Sequence, residues 1–145
     1  MTQIDFYILE HAQTEACHQF ACRLAEKAWR QGHHVHIHTG NPTLSQQLDE
    51  LLWRFREPSF VPHMLAPADT NTPIHIGHDE QGLAHHDVLI NLDPEVPLFF
   101  SQFERVAELV GADDTQRQQG RSRFSFYRDR GYALQTHNIA AGNAS

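Results

Sequence analysis

The first half of the chain alternates short apolar runs with helical patterns, and this order constrains the fold more than any other feature. Residues 4–9 indicate a buried strand, and Thr14 can cap a helix that continues to about Arg30. Residues 34–38 form a second β-rich run, and a second helix is predicted from about Thr43. A strand–helix–strand–helix order is typical of a parallel sheet with right-handed crossovers. The sequence therefore predicts an α/β fold.

The middle of the chain is less regular. Four prolines interrupt residues 55–73, which predicts an irregular excursion. Residues 74–76 and 87–92 indicate two further strands, and an apolar stripe over residues 99–110 predicts a helix.

The last third allows two interpretations. Residues 115–130 can form a helix capped by Asp113 or Asp114, although the aromatic run before Gly131 also fits a hairpin. Gly120 weakens such a helix by about 1 kcal/mol relative to alanine. Residues 140–145 are small and polar, so we expect one domain over residues 1–139 and a frayed tail.

Composition excludes several classes of protein. A chain of 145 residues fits one domain, and it contains no membrane-length apolar run. The first residues lack a basic stretch followed by an apolar run, so we expect no secretory leader. The expected location is therefore the cytoplasm. Cys17 and Cys22 lie in the first predicted helix, where small buried residues are common, and they cannot frame a disulfide scaffold.

Nothing in the sequence predicts catalysis. The turn after the first strand, residues 10–13, has no glycine, and Glu10 would repel a phosphate. The fold is therefore expected to be Rossmann-like without a nucleotide site. No G-x-S-x-G motif marks a nucleophilic serine either.

The twelve histidines raise the question of a metal site. His34, His36 and His38 alternate along one predicted strand, and residues 85–86 form a second pair. However, residues four apart on a strand are separated by about 13 Å, which is too far for one metal ion. A metal-dependent enzyme that uses His36 or His86 remains the alternative function.

Charge is unevenly distributed. Residues 117–130 contain five arginines and one aspartate, whereas the other six basic and seventeen acidic residues give the rest a charge of −11. In a helix, one face would carry the set Arg117, Arg121, Phe124 and Arg128. Such a face suits an acidic peptide or a carboxylate, and it could also bind single-stranded nucleic acid. A solvated basic helix that pairs with acids elsewhere is an equally simple explanation.

Aromatic residues mark a second region. Trp53 closes the second predicted helix and Phe60 lies in a proline-bounded loop. They can anchor a partner or simply cover the edge of the sheet.

This second region carries a family resemblance. Residues 48–53 and the string 59–63 (Ser-Phe-Val-Pro-His) resemble the chi subunit family of bacterial DNA polymerase III holoenzyme. Residues 6–9, 28–32 and 87–92 follow the family in order, as do Tyr127-Arg128 and Gly131-Tyr132. The likeness extends over most of the chain.

The resemblance implies a non-enzymatic accessory subunit with a single-domain, Rossmann-like three-layer fold, a mostly parallel central sheet and no cofactor. Family members pair with the psi subunit, which tethers them to the clamp loader. They also bind the acidic, phenylalanine-ended tail of the single-stranded DNA-binding protein. The resemblance implies no direct contact with nucleic acid or membrane, and it favours a helix over residues 115–130.

The resemblance also assigns two partner sites. The tail site comprises Val110, Arg117, Arg121, Phe124 and Arg128, where Arg117 replaces a lysine of the family and Phe124 replaces a tyrosine. The site for psi, or for a repair helicase that competes for the same surface, comprises Trp53, Phe60, Val61, Pro62 and His63.

Overall fold

The computed structural model describes residues 2–10, 14–54, 63–65, 72–79 and 86–140, which form one α/β unit. The strands are β1 (Gln3–Leu9), β2 (Val35–His38), β3 (His63–Leu65), β4 (Ile74–Gly77), β5 (Val88–Asn91), β6 (Arg105–Val110) and β7 (Ala133–Ile139). The helices are α1 (Thr14–Arg30), α2 (Pro42–Arg54) and α3 (Asp114–Asp129), and a single 3₁₀ turn covers Phe100–Gln102.

The strands form one sheet in the order β3-β4-β2-β5-β6-β1-β7, and all paired neighbours are parallel. The sheet separates two apolar cores. On one side α1 and α2 pack on β2, β4 and β5, whereas the other side is covered by α3 and the 3₁₀ turn. The predicted α/β class and Rossmann-like three-layer arrangement are confirmed.

Alternation along β6 shows how both faces are buried. Val106 and Val110 point into the core beneath α3, and Ala107 and Leu109 point into the core beneath α1. Both faces of a parallel strand are buried when helices cover both sides of the sheet, and Glu108 is the one charged residue in the buried part of β6.

Most predicted elements are confirmed, including β1, β2, β4, β5, α1 and α2. The ambiguity near the C-terminus is settled in favour of a helix. The Asp113 carboxylate caps α3 by accepting a hydrogen bond from the Gln116 N–H at 2.7 Å. Cys17 and Cys22 are buried in α1, and burial raises the pKa of their thiols to about 11 and about 12.

The helix predicted over residues 99–110 is wrong. This segment forms the 3₁₀ turn at Phe100–Gln102 and then β6, because Phe103 is extended and directs the chain into the sheet between β5 and β1. A strand apolar on both faces has no two-residue period, so its apolar residues can match a helical stripe by chance.

Two strands were not predicted. β3 lies within the segment expected to be irregular, and β7 follows α3 at the edge of the sheet. All seven residues of β7 are exposed or half-buried, and its sequence has no apolar run. Within the described ranges, no helix is long and apolar enough to span a membrane.

Candidate functional site

Helix α3 is seated on the sheet by three buried residues, Gly120, Arg123 and Tyr127. A Cβ atom on Gly120 would lie 2.8 and 2.9 Å from the two methyl carbons of Val110. The glycine therefore allows the helix to approach β6 closely, and Val110 is buried beneath it. Gly120 weakens the isolated helix but improves its packing, a role the sequence did not indicate.

A buried polar network fixes the core-facing side of α3. Glu108 of β6 is fully buried and accepts hydrogen bonds from Arg123 Nε at 2.8 Å, Tyr127 Oη at 2.6 Å and Asn91 Nδ2 at 2.8 Å. Arg123 also donates to the main-chain oxygens of Pro94 and Leu109. Burial raises the pKa of Glu108, whereas the Arg123 charge and the three donors lower it. The network satisfies each buried group, so it positions α3 rather than a ligand.

Arg117 also serves the fold. Its Nε donates to the Gly111 carbonyl at 2.9 Å and its Nη2 donates to the Leu9 carbonyl at 3.0 Å. These carbonyls lie where β6 and β1 end, so Arg117 ties both strand ends to the first turn of α3. Two of its donors are therefore already engaged.

The other three predicted tail-site residues on α3 reach the surface. Phe124 is half-buried, with its ring 5.3 Å from that of Phe6 on β1, while Arg121 and Arg128 are exposed. Within the described part of the chain, Arg128 contacts Asp129 Oδ1 at 3.3 Å and Ser125 Oγ at 3.4 Å. We call Arg117, Arg121, Phe124 and Arg128 the β1-side flank of α3, because Phe124 and Arg117 both contact β1.

The β1-side flank combines an apolar wall with exposed guanidinium groups. Arginine donors can hold a carboxylate in a fork, and the half-buried Phe124 ring offers an adjacent apolar surface. Since the chain outside residues 117–130 has a net charge of −11, this flank is a local positive patch. The geometry suits an anion attached to an apolar group.

Comparison with known proteins identifies the family. A sequence model of the family described as "DNA polymerase III chi subunit, HolC" matches residues 1–135. The chain is 47% identical over 139 residues to the Pseudomonas aeruginosa protein named DNA polymerase III subunit chi, a match that covers 96% of this chain and 98% of that protein. Proteins of the same name from Haemophilus influenzae and Escherichia coli are 36% and 32% identical, over 92% and 94% of this chain and 95% and 97% of theirs.

The chain belongs to the DNA polymerase III chi subunit family. Its place in DNA replication follows from that membership. The resemblance seen in the sequence is therefore confirmed.

The second predicted site of this chi-family chain is only partly described. Phe60, Val61 and Pro62 lie outside the described residues, as does the side chain of Trp53, whose backbone is in the last turn of α2. His63 is buried in β3, with its Nε2 3.1 Å from the Asp49 main-chain oxygen and 3.3 Å from Asp49 Oδ1. His63 therefore contacts α2 rather than solvent.

The strand histidines lie against other residues of the chi-family fold. His36 is buried against Phe99 and Phe103, and His38 Nε2 lies 3.2 Å from Asp93 Oδ2. Burial lowers the pKa of His38, although Asp93 opposes this. His34 precedes β2 and is exposed. Among the residues that the structure describes, no group of three or more potential ligands could hold a metal ion.

A crevice lies at the carboxyl ends of the strands, where Rossmann-like folds bind nucleotides. It has a volume of about 200 Å³ and is lined by residues that include Cys17, Asp93 and Arg123. Arg123 is held by Glu108 and two carbonyls, so its charge is already engaged. Glu10 is exposed beside this end, and residues 11–13 lie outside the described part of the chain.

Proposed function

We propose that this chi-family chain is a non-catalytic adaptor. It links the clamp loader, through the psi subunit, to the C-terminal tail of the single-stranded DNA-binding protein during replication. The observation that carries the proposal is the β1-side flank of α3, where exposed Arg121 and Arg128 flank the half-buried Phe124. This combination suits an acidic chain end with a terminal phenylalanine.

The arginines of the β1-side flank have different roles in this proposal. Arg117 has two donors engaged by carbonyls, whereas Arg121 makes no ion pair within the described ranges. We therefore assign the terminal carboxylate to Arg121 and the acidic residues of the tail to Arg128. Phe124 supplies the accessible apolar wall, Val110 packs beneath the helix in the same apolar core, and Arg117 holds the ends of β6 and β1.

The psi surface is proposed on Trp53, Phe60, Val61 and Pro62. The fifth predicted residue, His63, is buried, and its imidazole joins β3 to Asp49 of α2. A repair helicase that binds the same aromatic residues would compete with psi. Trp53→Ala should therefore weaken psi binding without changing tail binding, which pull-down against each partner measures.

Calorimetry with an acidic peptide that ends in Ile-Pro-Phe tests the tail site. We expect micromolar, salt-sensitive binding that requires a free terminal carboxylate, since an arginine fork recognises that group. Arg121→Ala should weaken binding by about tenfold or more, the loss expected for one charge-assisted contact.

Arg130→Ala is the matched control, because Arg130 is an exposed arginine at the C-terminal end of α3 that lies outside the β1-side flank, and its guanidinium stacks on Phe126. It removes the same charge and should leave affinity within about twofold. Equal losses from both variants would show a general charge effect and would contradict the assignment of Arg121. Stronger binding of a bare oligonucleotide than of the peptide would favour direct nucleic-acid binding instead.

A further inference from the structure

Among the described residues, the outer edge of β7 is an open strand edge beside the proposed tail site. β7 has seven residues and is last in the sheet order, so β1 is its one neighbour among the described strands. It contains no proline, lysine, arginine or carboxylate. Proteins usually protect long edge strands with such residues, because an unprotected edge pairs readily with another chain.

The register shows which main-chain groups are free to pair. The Glu10 N–H donates to the Ile139 carbonyl at 3.0 Å, so Ile139 points its main-chain groups toward β1. Orientation alternates along a strand, so those of Leu134, Thr136 and Asn138 point away from β1. Three N–H and three C=O groups are thus presented at the edge.

Charge and position favour one occupant. Leu134, Thr136 and Asn138 are in register with Ile4, Phe6 and Ile8 of β1, so their side chains lie on the face of the sheet that α3 covers. Phe124 of the β1-side flank contacts Phe6, the β1 partner of Thr136. A strand added outside β7 would therefore present alternate side chains toward the side of α3 that carries Arg121 and Arg128, which favours acidic residues there.

We propose that β7 binds the extended acidic segment of the tail as an eighth strand, next to the site for its carboxyl end. The inference rests on the proposed function and extends it. Main-chain pairing would supply affinity that does not depend on the terminal phenylalanine, and the flank would select acidic side chains.

Two peptides and two substitutions test the pairing. The short peptide carries only the last four residues of the tail, and the long one adds the acidic segment. Thr136→Pro removes an outward N–H but no bond to β1, whereas Thr136→Val, the matched control, keeps that N–H. We expect Thr136→Pro to weaken the long peptide by about fivefold or more and the short one by less than about twofold, because only the long peptide reaches the edge. Thr136→Val should leave both unchanged.

Amide hydrogen exchange gives an independent readout. The long peptide should protect the N–H groups of Leu134, Thr136 and Asn138 without further protecting those of Gln135 and His137, which already face β1. Equal affinity of Thr136→Pro and wild type for the long peptide would overturn the pairing. Protection at these three positions from self-association, without peptide, would show a second copy at the edge and also overturn it.

The two proposals fail in different ways. If wild type binds neither peptide, the tail-binding function is wrong. If wild type binds both peptides equally and Arg121→Ala weakens both, the tail site stands and only the β7 pairing is rejected.

Discussion

Two arginines two residues apart on α3 have opposite environments. Arg123 is 5% exposed and donates to Glu108, Pro94 and Leu109, whereas Arg121 is exposed and has no ion pair within the described residues. The core-facing side of α3 is thus a satisfied polar network, and the β1-side flank leaves charge available. Arginine content therefore indicates a basic helix without indicating which arginines are free.

The largest expected effect concerns the buried network. Glu108→Ala should lower the free energy of unfolding by about 3–5 kcal/mol, because it leaves the Arg123 guanidinium buried without its partner. Urea denaturation measures this. The double variant Glu108→Leu/Arg123→Met should be less destabilised than Glu108→Ala, since it removes both charges together. A double variant that is more destabilised would show that the contacts of Arg123 with carbonyls dominate.

Arg117 should give an intermediate result. Arg117→Ala removes the hydrogen bonds to Gly111 and Leu9, so we expect a loss of about 2 kcal/mol in unfolding free energy. Arg117→Lys can keep one of these bonds and should recover part of the loss. Unchanged stability combined with lost tail binding would place Arg117 with the ligand-binding arginines instead.

Gly120→Ala should change stability by a smaller amount, because two opposing effects act on this residue. Alanine favours a helix by about 1 kcal/mol, but its methyl group would overlap Val110 and cost about 1–3 kcal/mol. We therefore expect Gly120→Ala to lower the melting temperature slightly. A higher melting temperature would mean that α3 does not rest closely on β6.

Arg121 should have the smallest effect on stability. Arg121→Ala removes an exposed side chain, so the free energy of unfolding should change by less than about 0.5 kcal/mol although tail affinity falls. Thermal unfolding beside calorimetry measures both quantities. A clear loss of stability would show that Arg121 supports the fold, as Arg123 does, and would contradict its assignment as an exposed binding residue.

The sequence predicted those helices and strands whose apolar residues form a clear local pattern. β1 and β2 were predicted from short apolar and β-rich runs, and α1 and α2 from the helical spacing of their apolar residues. Asp113 was one of two candidate caps for α3. The segment 99–110 was predicted wrongly, because β6 is covered on both faces and so lacks alternation. β7 was missed for the opposite reason, since an edge strand buries too little to show an apolar pattern.

The candidate site was likewise predictable only in part. The sequence placed Arg117, Arg121, Phe124 and Arg128 on one helical side, because helix geometry depends only on spacing. It could not show that Arg117 binds two carbonyls, since those carbonyls belong to residues 6 and 108 positions away in the chain. Nor did it indicate Glu108, which resembles any surface glutamate until β6 is placed beneath α3.

The order of most elements and the position of the basic segment follow from local pattern and composition in the sequence, whereas the family follows from the likeness of residues 48–53 and 59–63 to its members. Tertiary contacts determine which arginines are bonded within the fold and which remain exposed. Packing of α3 on β6 buries Arg123 with Glu108, bonds Arg117 to the strand ends and leaves Arg121 in solvent. These environments depend on contacts between separate elements rather than on neighbours in the chain.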